Sequence, residues 1–377
     1  MYFWLARLFI NRIAWPAFFC GSILSANPHP ATNGVSFSIT YRRQLEATPC
    51  DCSLYPVGGM AREYNLLNII RKSSSSPLKP LTIGTSFVPE PNQFLKKQLS
   101  KYSKKASKLV DAMNLLETYV FIPGGGDLML SAPRLKMLQK QAKFKFVTAN
   151  VVSKKSRKLL FDAYTELKVG SLQIVLIGLT DSVEQKYPEP PKDVSVLPYR
   201  DALKKVIDNL PKSSDRVLLV AGSFGFHERK ELAKEFPQAV FWLGGDDFDN
   251  QKAQYDQPEL NWAFGTTESN GKRLLLLELI SPKSKYDMLF SPSHQTVLQS
   301  RIGYLGSEIA KVEKDSFPKK TERLEFLRND LKDTETFLKL SGQAKVRFDY
   351  HFTDYSINPK QDLPVNPITR LFPDPNH

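Results

Sequence analysis

In WLGGDDFDN, residues 242 to 250, three acids fall within four positions, directly behind an apolar run and two glycines. Carboxylates crowded onto one turn repel each other unless a cation sits among them or water solvates them. Asp246, Asp247 and Asp249 therefore read either as a cation-binding loop or as a polar, solvated turn. With Asp127, His227 and His294 they could offer ligands to one hard divalent ion such as Ca²⁺ or Mg²⁺, although acids on a single turn diverge in direction. A second candidate is PGGGDLM, residues 123 to 129, whose consecutive glycines could expose backbone N–H groups to a phosphate. It lacks the Lys-Ser/Thr ending of a P-loop. The third is PCDCS: Cys50 and Cys52 could close a tight disulfide that pins a loop, bind a soft metal with outside ligands, or exchange thiols. A four-ligand zinc site is not indicated, because no second cysteine pair exists and the five histidines are scattered.

Positioning such groups takes a scaffold, and 377 residues with 41% hydrophobic content are enough for a large core. Strand-like runs at 35–40, 172–179, 216–222, 239–245 and 273–280 alternate with helical patterns at 199–210 and 227–236, the rhythm of an α/β domain with helices covering a sheet. Past residue 281 the period changes. Leu298, Ile302, Leu305, Ile309 and Val312 form one apolar stripe, Phe317-Pro318 interrupts, and Leu324, Leu327, Leu331 and Leu338 form another. Two antiparallel helices joined at the proline are expected. The expected divisions are a domain over 35–285, a helical hairpin over 290–345 and an extended tail over 346–377 that wraps the surface.

Charge and the N-terminus constrain the setting. The excess of 52 Lys and Arg over 39 Asp and Glu leaves +13, which favours an anionic ligand or partner. The lysines of KKQLSKYSKKASK (96–108) read as the solvated face of a helix, since no nucleic-acid motif accompanies them. Residues 1–26 read as an export signal: Arg7 and Arg12 precede an apolar stretch from Ile13 to Leu24, and small residues follow at Ser25 and Ala26. That stretch is shorter than the ~20 residues a spanning helix needs, and Pro16 interrupts it. A periplasmic or extracellular protein is expected, with tethering through an uncleaved signal or a lipid on Cys20 as the variant. In an oxidising compartment Cys50 and Cys52 would be the only cysteines left.

Several segments, in order, resemble the secreted 5′-nucleotidase-type metallophosphoesterases of the calcineurin-like superfamily. YPVGGMAREYNLLNIIRK (55–72) is similar to that family's GG-x-AR segment, and VTANVVSKKSRKLLFDAYTELKVGSLQIVLIGLTD (147–181) to its SAN-to-IGLT stretch. RVLLVAGSFGFHERKELAKEFPQAVFWLGGDDFDN (216–250) falls where the family has a loop histidine, a helix and a GGH-x-H turn. The resemblance implies a four-layer α/β/β/α sandwich, here with a C-terminal helical hairpin. It also implies two metal ions that activate water against a phosphate ester.

The residues depart from that pattern at each metal-binding element. The places of the first strand's Asp-x-His fall on Thr40 and Arg42, and the second element's Gly-Asp becomes Gly84-Thr85. The third element's Gly-Asn-His-Glu/Asp becomes Gly124, Gly125, Gly126 and Asp127. The loop histidine becomes Phe224, and the last two histidines become Asp246 and Phe248. Only Asp127 survives in kind, and this set would not hold two divalent ions in the family's manner. Fewer than a hundred residues follow the α/β domain, too few for a nucleotidase specificity domain. The expectation is a metallophosphoesterase-like protein that has lost its dinuclear centre, has no assigned cofactor, and acts by binding or through Cys50 and Cys52. The alternative is an active phosphoesterase with remodelled ligands, or a single bound divalent cation.

Overall fold

The computed structural model describes residues 34–41, 59–74, 76–89, 91, 94–170, 172–182, 187, 191–211, 216–224, 226–245, 263–266, 273–280, 292–314, 320–341, 349–357, 367–368 and 371. The expected export segment, Cys20, Arg42, Cys50, Cys52 and the turn Asp246, Asp247, Phe248, Asp249 lie outside them, as do the side chains of His227 and His294. Among the described residues no helix is long and apolar enough to cross a membrane.

The apolar runs become strands because both faces of each are covered. β1 (Gly34–Tyr41), β2 (Leu78–Gly84), β3 (Val120–Pro123) and β4 (Lys145–Phe146) pair in parallel. The other side of β1 pairs antiparallel with β12 (Arg273–Ile280), and β12 pairs antiparallel with β13 (Asp349–Ser356), giving the order β13-β12-β1-β2-β3-β4. A second sheet, β11-β10-β9-β7-β6, is built from β6 (Tyr164–Val169), β7 (Leu172–Leu179), β9 (Arg216–Ser223), β10 (Ala239–Gly245) and β11 (Ala263–Thr266). All its pairs are parallel except β6 with β7. A small antiparallel ribbon joins β5 (Val151–Ser153) to β8 (Val194–Val196).

The two-residue alternation of strands sorts side chains into layers. Phe37, Ile39, Ile83 and Ile122 of the first sheet meet Leu176, Leu219 and Leu243 of the second in one buried cluster between the sheets. The outer face of the first sheet is covered by α1 (Met60–Ser73), α2 (Leu99–Leu115) and α3 (Ala132–Gln141), and that of the second by α4 (Tyr199–Asn209) and α5 (Phe226–Glu235). The result is the four-layer α/β/β/α sandwich. Double coverage explains why β7, β9 and β10 are almost unbroken apolar runs.

The tail is not only a surface wrap. Asp349–Ser356 lies along the whole of β12, eight residues against eight, and supplies the hydrogen-bond partners that an edge strand otherwise lacks.

After the sandwich come α6 (Pro292–Lys314) and α7 (Lys320–Ser341). Leu305, Val312 and Leu327 are buried together with Ile309, Leu324 and Leu331 packed around them, and Arg301 forms a two-point bond to Asp330 across the pair. Leu338, near the far end of α7, packs against the cluster under α4 and α5. Replacing Leu305 by Asp puts a charge into that seam and should cost about 3–5 kcal/mol. Lys311→Ala removes only an exposed partner of Glu308 and should change stability by less than about 0.5 kcal/mol. Denaturant unfolding of both variants checks this, and equal, small effects would reject a packed seam.

Candidate functional site

Strands of both sheets end on one rim, and several of the described residues singled out from the sequence sit there. Thr40 is near the end of β1, Thr85 follows β2, Gly124 to Asp127 follow β3, and Phe224 follows β9. The geometry shows what occupies each. Thr40 is buried, and its hydroxyl donates to Glu63 Oε1 of α1 at 2.8 Å. Phe224 is buried, its ring edge-on to Tyr199 at 5.6 Å, in the space a side chain at Gly222 would need.

The triple-glycine loop is the most tightly determined part of the rim. Gly84 turns the chain out of β2 with φ 93°, a conformation that disfavours side chains. This brings Thr85 against the glycines: a Cβ on Gly124 would lie 2.3 Å from the Thr85 backbone nitrogen, and one on Gly126 would lie 2.4 Å from the Tyr187 hydroxyl. The glycines are therefore required by close approach of protein to protein. Their N–H groups are also spoken for. Gly124 N–H donates to Asp127 Oδ2 at 3.1 Å, Gly125 N–H to Asp181 Oδ1 at 2.6 Å and Gly126 N–H to Thr85 Oγ1 at 3.2 Å. Asp127 N–H donates to the Gly124 carbonyl at 3.1 Å, closing a short 3-10 turn over Gly125–Leu130. A phosphate nest needs such groups unspent, so PGGGDLM does not act as one in this conformation.

Asp127 is fully buried and acts as a clamp between loops. Its Oδ1 accepts the Ser86 and Phe87 N–H groups at 2.8 and 2.6 Å, and its Oδ2 accepts from Gly124. Burial pushes its carboxyl up to about 8, helped by the nearby charge of Asp181 and opposed by the three N–H donors. Asp181 plays the matching role from the second sheet by holding Gly125. Beside it Thr180 Oγ1 lies 2.8 Å from both the Pro123 carbonyl and Thr148 Oγ1. Asn150 accepts the Thr180 N–H and donates to the carbonyls of Thr180 and Leu197. Among the described residues no three His, Cys, Asp or Glu side chains come together as a metal-binding group.

Glu63, Thr148, Asn150, Thr180, Asp181 and Tyr187 were not singled out by sequence. The first five lie inside segments that carried the family resemblance, which was their available signal. Their partners lie 23 to 57 residues away in most of these contacts, so spacing alone does not reveal them.

The folded-state value of about 8 for Asp127 lies above its ordinary 3.8, so over that window the native state holds a proton the unfolded chain lacks. This stabilisation is complete below about pH 4 and is lost as pH rises through about 8. Compared with Asp127→Asn, which cannot titrate, the wild type should lose stability by about 1.4 kcal/mol per pH unit between pH 5 and about 8. Denaturant unfolding across that range tests it; parallel curves for the two proteins would contradict it.

No family model matches the chain, and no curated protein matches it in sequence. Solved structures do match its shape. A 5′-nucleotidase precursor from Thermus thermophilus superimposes with a TM-score of 0.52 at 20% identity, covering 66% of this chain and 52% of that one. The sulfate thiohydrolase SoxB of Thermus thermophilus gives 0.51 at 15% identity, covering 66% and 54%. A calcineurin-like phosphoesterase from Bacillus subtilis gives 0.50 at 15% identity, covering 67% and 86%. The chain thus spans about half the length of the first two. At these identities the likeness concerns architecture, and the architecture is that of the calcineurin-like phosphoesterases.

Proposed function

We propose that this chain is an exported protein that keeps the metallophosphoesterase fold without a two-metal hydrolytic centre, and that it works by binding or through its Cys50–Cys52 pair. One observation carries the first part: among the described residues, the rim groups Thr40, Thr85 and Asp127 are already engaged by the protein. The Thr40 hydroxyl serves Glu63, Thr85 Oγ1 receives Gly126, and the oxygens of Asp127 receive three backbone N–H groups. Phe224 offers no ligand atom. These residues do not fit a dinuclear metal centre.

Purified protein from cells grown with added Mn²⁺, Zn²⁺ and Fe²⁺ should neither retain two equivalents of metal nor hydrolyse generic phosphate esters and nucleotides. Two bound equivalents, with turnover lost in Asp246→Ala/Asp247→Ala, would favour the active hydrolase with remodelled ligands. One equivalent lost in the same variant would favour the single divalent cation.

The cysteines carry the remaining chemistry. A Cys-x-Cys bridge closes so small a loop that it removes little entropy from the unfolded chain, so stability is a poor reason for it. Its tight ring favours a readily reduced bond. Cys50→Ser/Cys52→Ser should melt near the wild-type temperature yet lose thiol exchange. A bridge that stays closed at potentials below roughly −300 mV, as structural disulfides do, would leave loop pinning as the better account.

A further inference from the structure

The positive charge of this protein is concentrated on one outer face. Residues 94–110 contain six Lys or Arg and residues 128–161 nine, with no Asp or Glu in either segment. These fifteen cations exceed the whole chain's net +13, so the rest of the sequence is close to neutral. The fold sets the two segments side by side. Arg134 of α3 donates to the Ser103 carbonyl of α2 at 2.7 Å, and Gln141 at the end of α3 bonds Ser107 and Asp111. On the other flank of α3, Asp193 accepts the Ala132 N–H through its side chain and the Lys154 N–H through its carbonyl. Lys136 Nζ stands 5.1 Å from the centre of the Phe161 ring. The order across the surface is α2, α3, then the turn at 154–159.

Because α2 and α3 bury their apolar sides against the first sheet, their lysines point away from it. Lys97, Lys101, Lys104 and Lys108 are exposed along the first helix and the turn that leads into it, Lys136 and Lys140 on the second, and Lys155, Arg157 and Lys158 on the turn. Three described acids border this face. Asp111 accepts from Gln141, Asp193 holds the start of α3, and Asp162 lies near Lys136.

We infer that this face docks the protein onto an anionic lipid surface. Three large aliphatic side chains stand exposed among the cations: Leu95 at 45%, Met137 at 59% and Leu159 at 43%. Apolar side chains flanked by lysines suit an interface where headgroup phosphates meet acyl chains. Nucleic acid fits less well. Arg134 is engaged with Ser103, which leaves Arg157 as the face's other guanidinium, so the cations are overwhelmingly lysines, point charges suited to diffuse attraction. The exposed large aromatics among the described residues, Tyr304 and Phe326, lie on the hairpin, so this face offers no stacking platform for bases.

Co-sedimentation of the full chain with phosphatidylcholine vesicles, with and without phosphatidylglycerol, tests it. The wild type should bind the phosphatidylglycerol vesicles and release from them as salt rises. Lys101→Gln/Lys104→Gln/Lys140→Gln/Lys155→Gln should lose affinity on the order of several hundredfold to a thousandfold. A control with the same charge change elsewhere, Lys205→Gln/Lys311→Gln/Lys314→Gln/Lys332→Gln, should lose far less. Met137→Ser/Leu159→Ser should weaken binding while leaving its salt dependence in place, and thermal melts confirm that each variant is folded. Equal binding by the two lysine variants would overturn the inference, because it assigns attachment to another part of the chain such as the apolar N-terminal segment. Indifference to phosphatidylglycerol would overturn it too, as would binding of duplex DNA or RNA through these lysines without binding of vesicles.

Discussion

Two buried aspartates hold the rim of this protein together. Asp127 gathers the N–H groups of Ser86, Phe87 and Gly124, and Asp181 reaches from the second sheet to Gly125. A loop that leaves a sheet inside the protein carries N–H groups that water cannot reach, and each one left unpaired costs about 1–3 kcal/mol. The two acids, with Thr85, remove that cost for the whole glycine loop. This pairing goes with the close approach of Thr85 and Tyr187 to the glycines, and with the contact of Thr180 with the Pro123 carbonyl that joins the sheets.

The same bonds restrict what the rim can do. A buried carboxyl group that accepts three backbone donors and keeps its proton up to about pH 8 is a poor ligand, because turning it toward a cation would orphan those donors. Asp127 reads as a surviving functional acid in the sequence, and in space its two oxygens serve three backbone donors. An acid's identity says which chemistry is available, and its hydrogen-bond partners say whether that chemistry is spent.

This difference also sets how far the sequence could be read. Strands β7, β9, β10 and β12 were legible because both sides of each are covered, which writes them as apolar runs. The hairpin helices were legible from the stripes containing Leu305 and Leu327. β6 and β13 were not: TELKV and DYHFTDYS carry polar side chains because each forms the edge of its sheet. At the candidate site, Thr40, Thr85 and Phe224 were named by resemblance alone. Their partners Glu63, Gly126 and Tyr199 come from other elements, and local periodicity holds no trace of such pairings.

Rim and outer face divide the molecule's chemistry along its layers. The rim sits where the two sheets meet, so its polar groups are desolvated and must be paired within the protein. The α2–α3 face looks outward from a helical layer, where exposed lysines cost little because water solvates them. Mutual repulsion among so many like charges still opposes folding, and folding brings the two acid-free segments together when charges of either sign could have been interspersed. A chain under no other demand would relieve that repulsion with a few acids on α3, whose exposed positions Lys136, Met137 and Lys140 are open to substitution at little cost in packing. Their absence is therefore better explained by what the face meets than by what the fold requires.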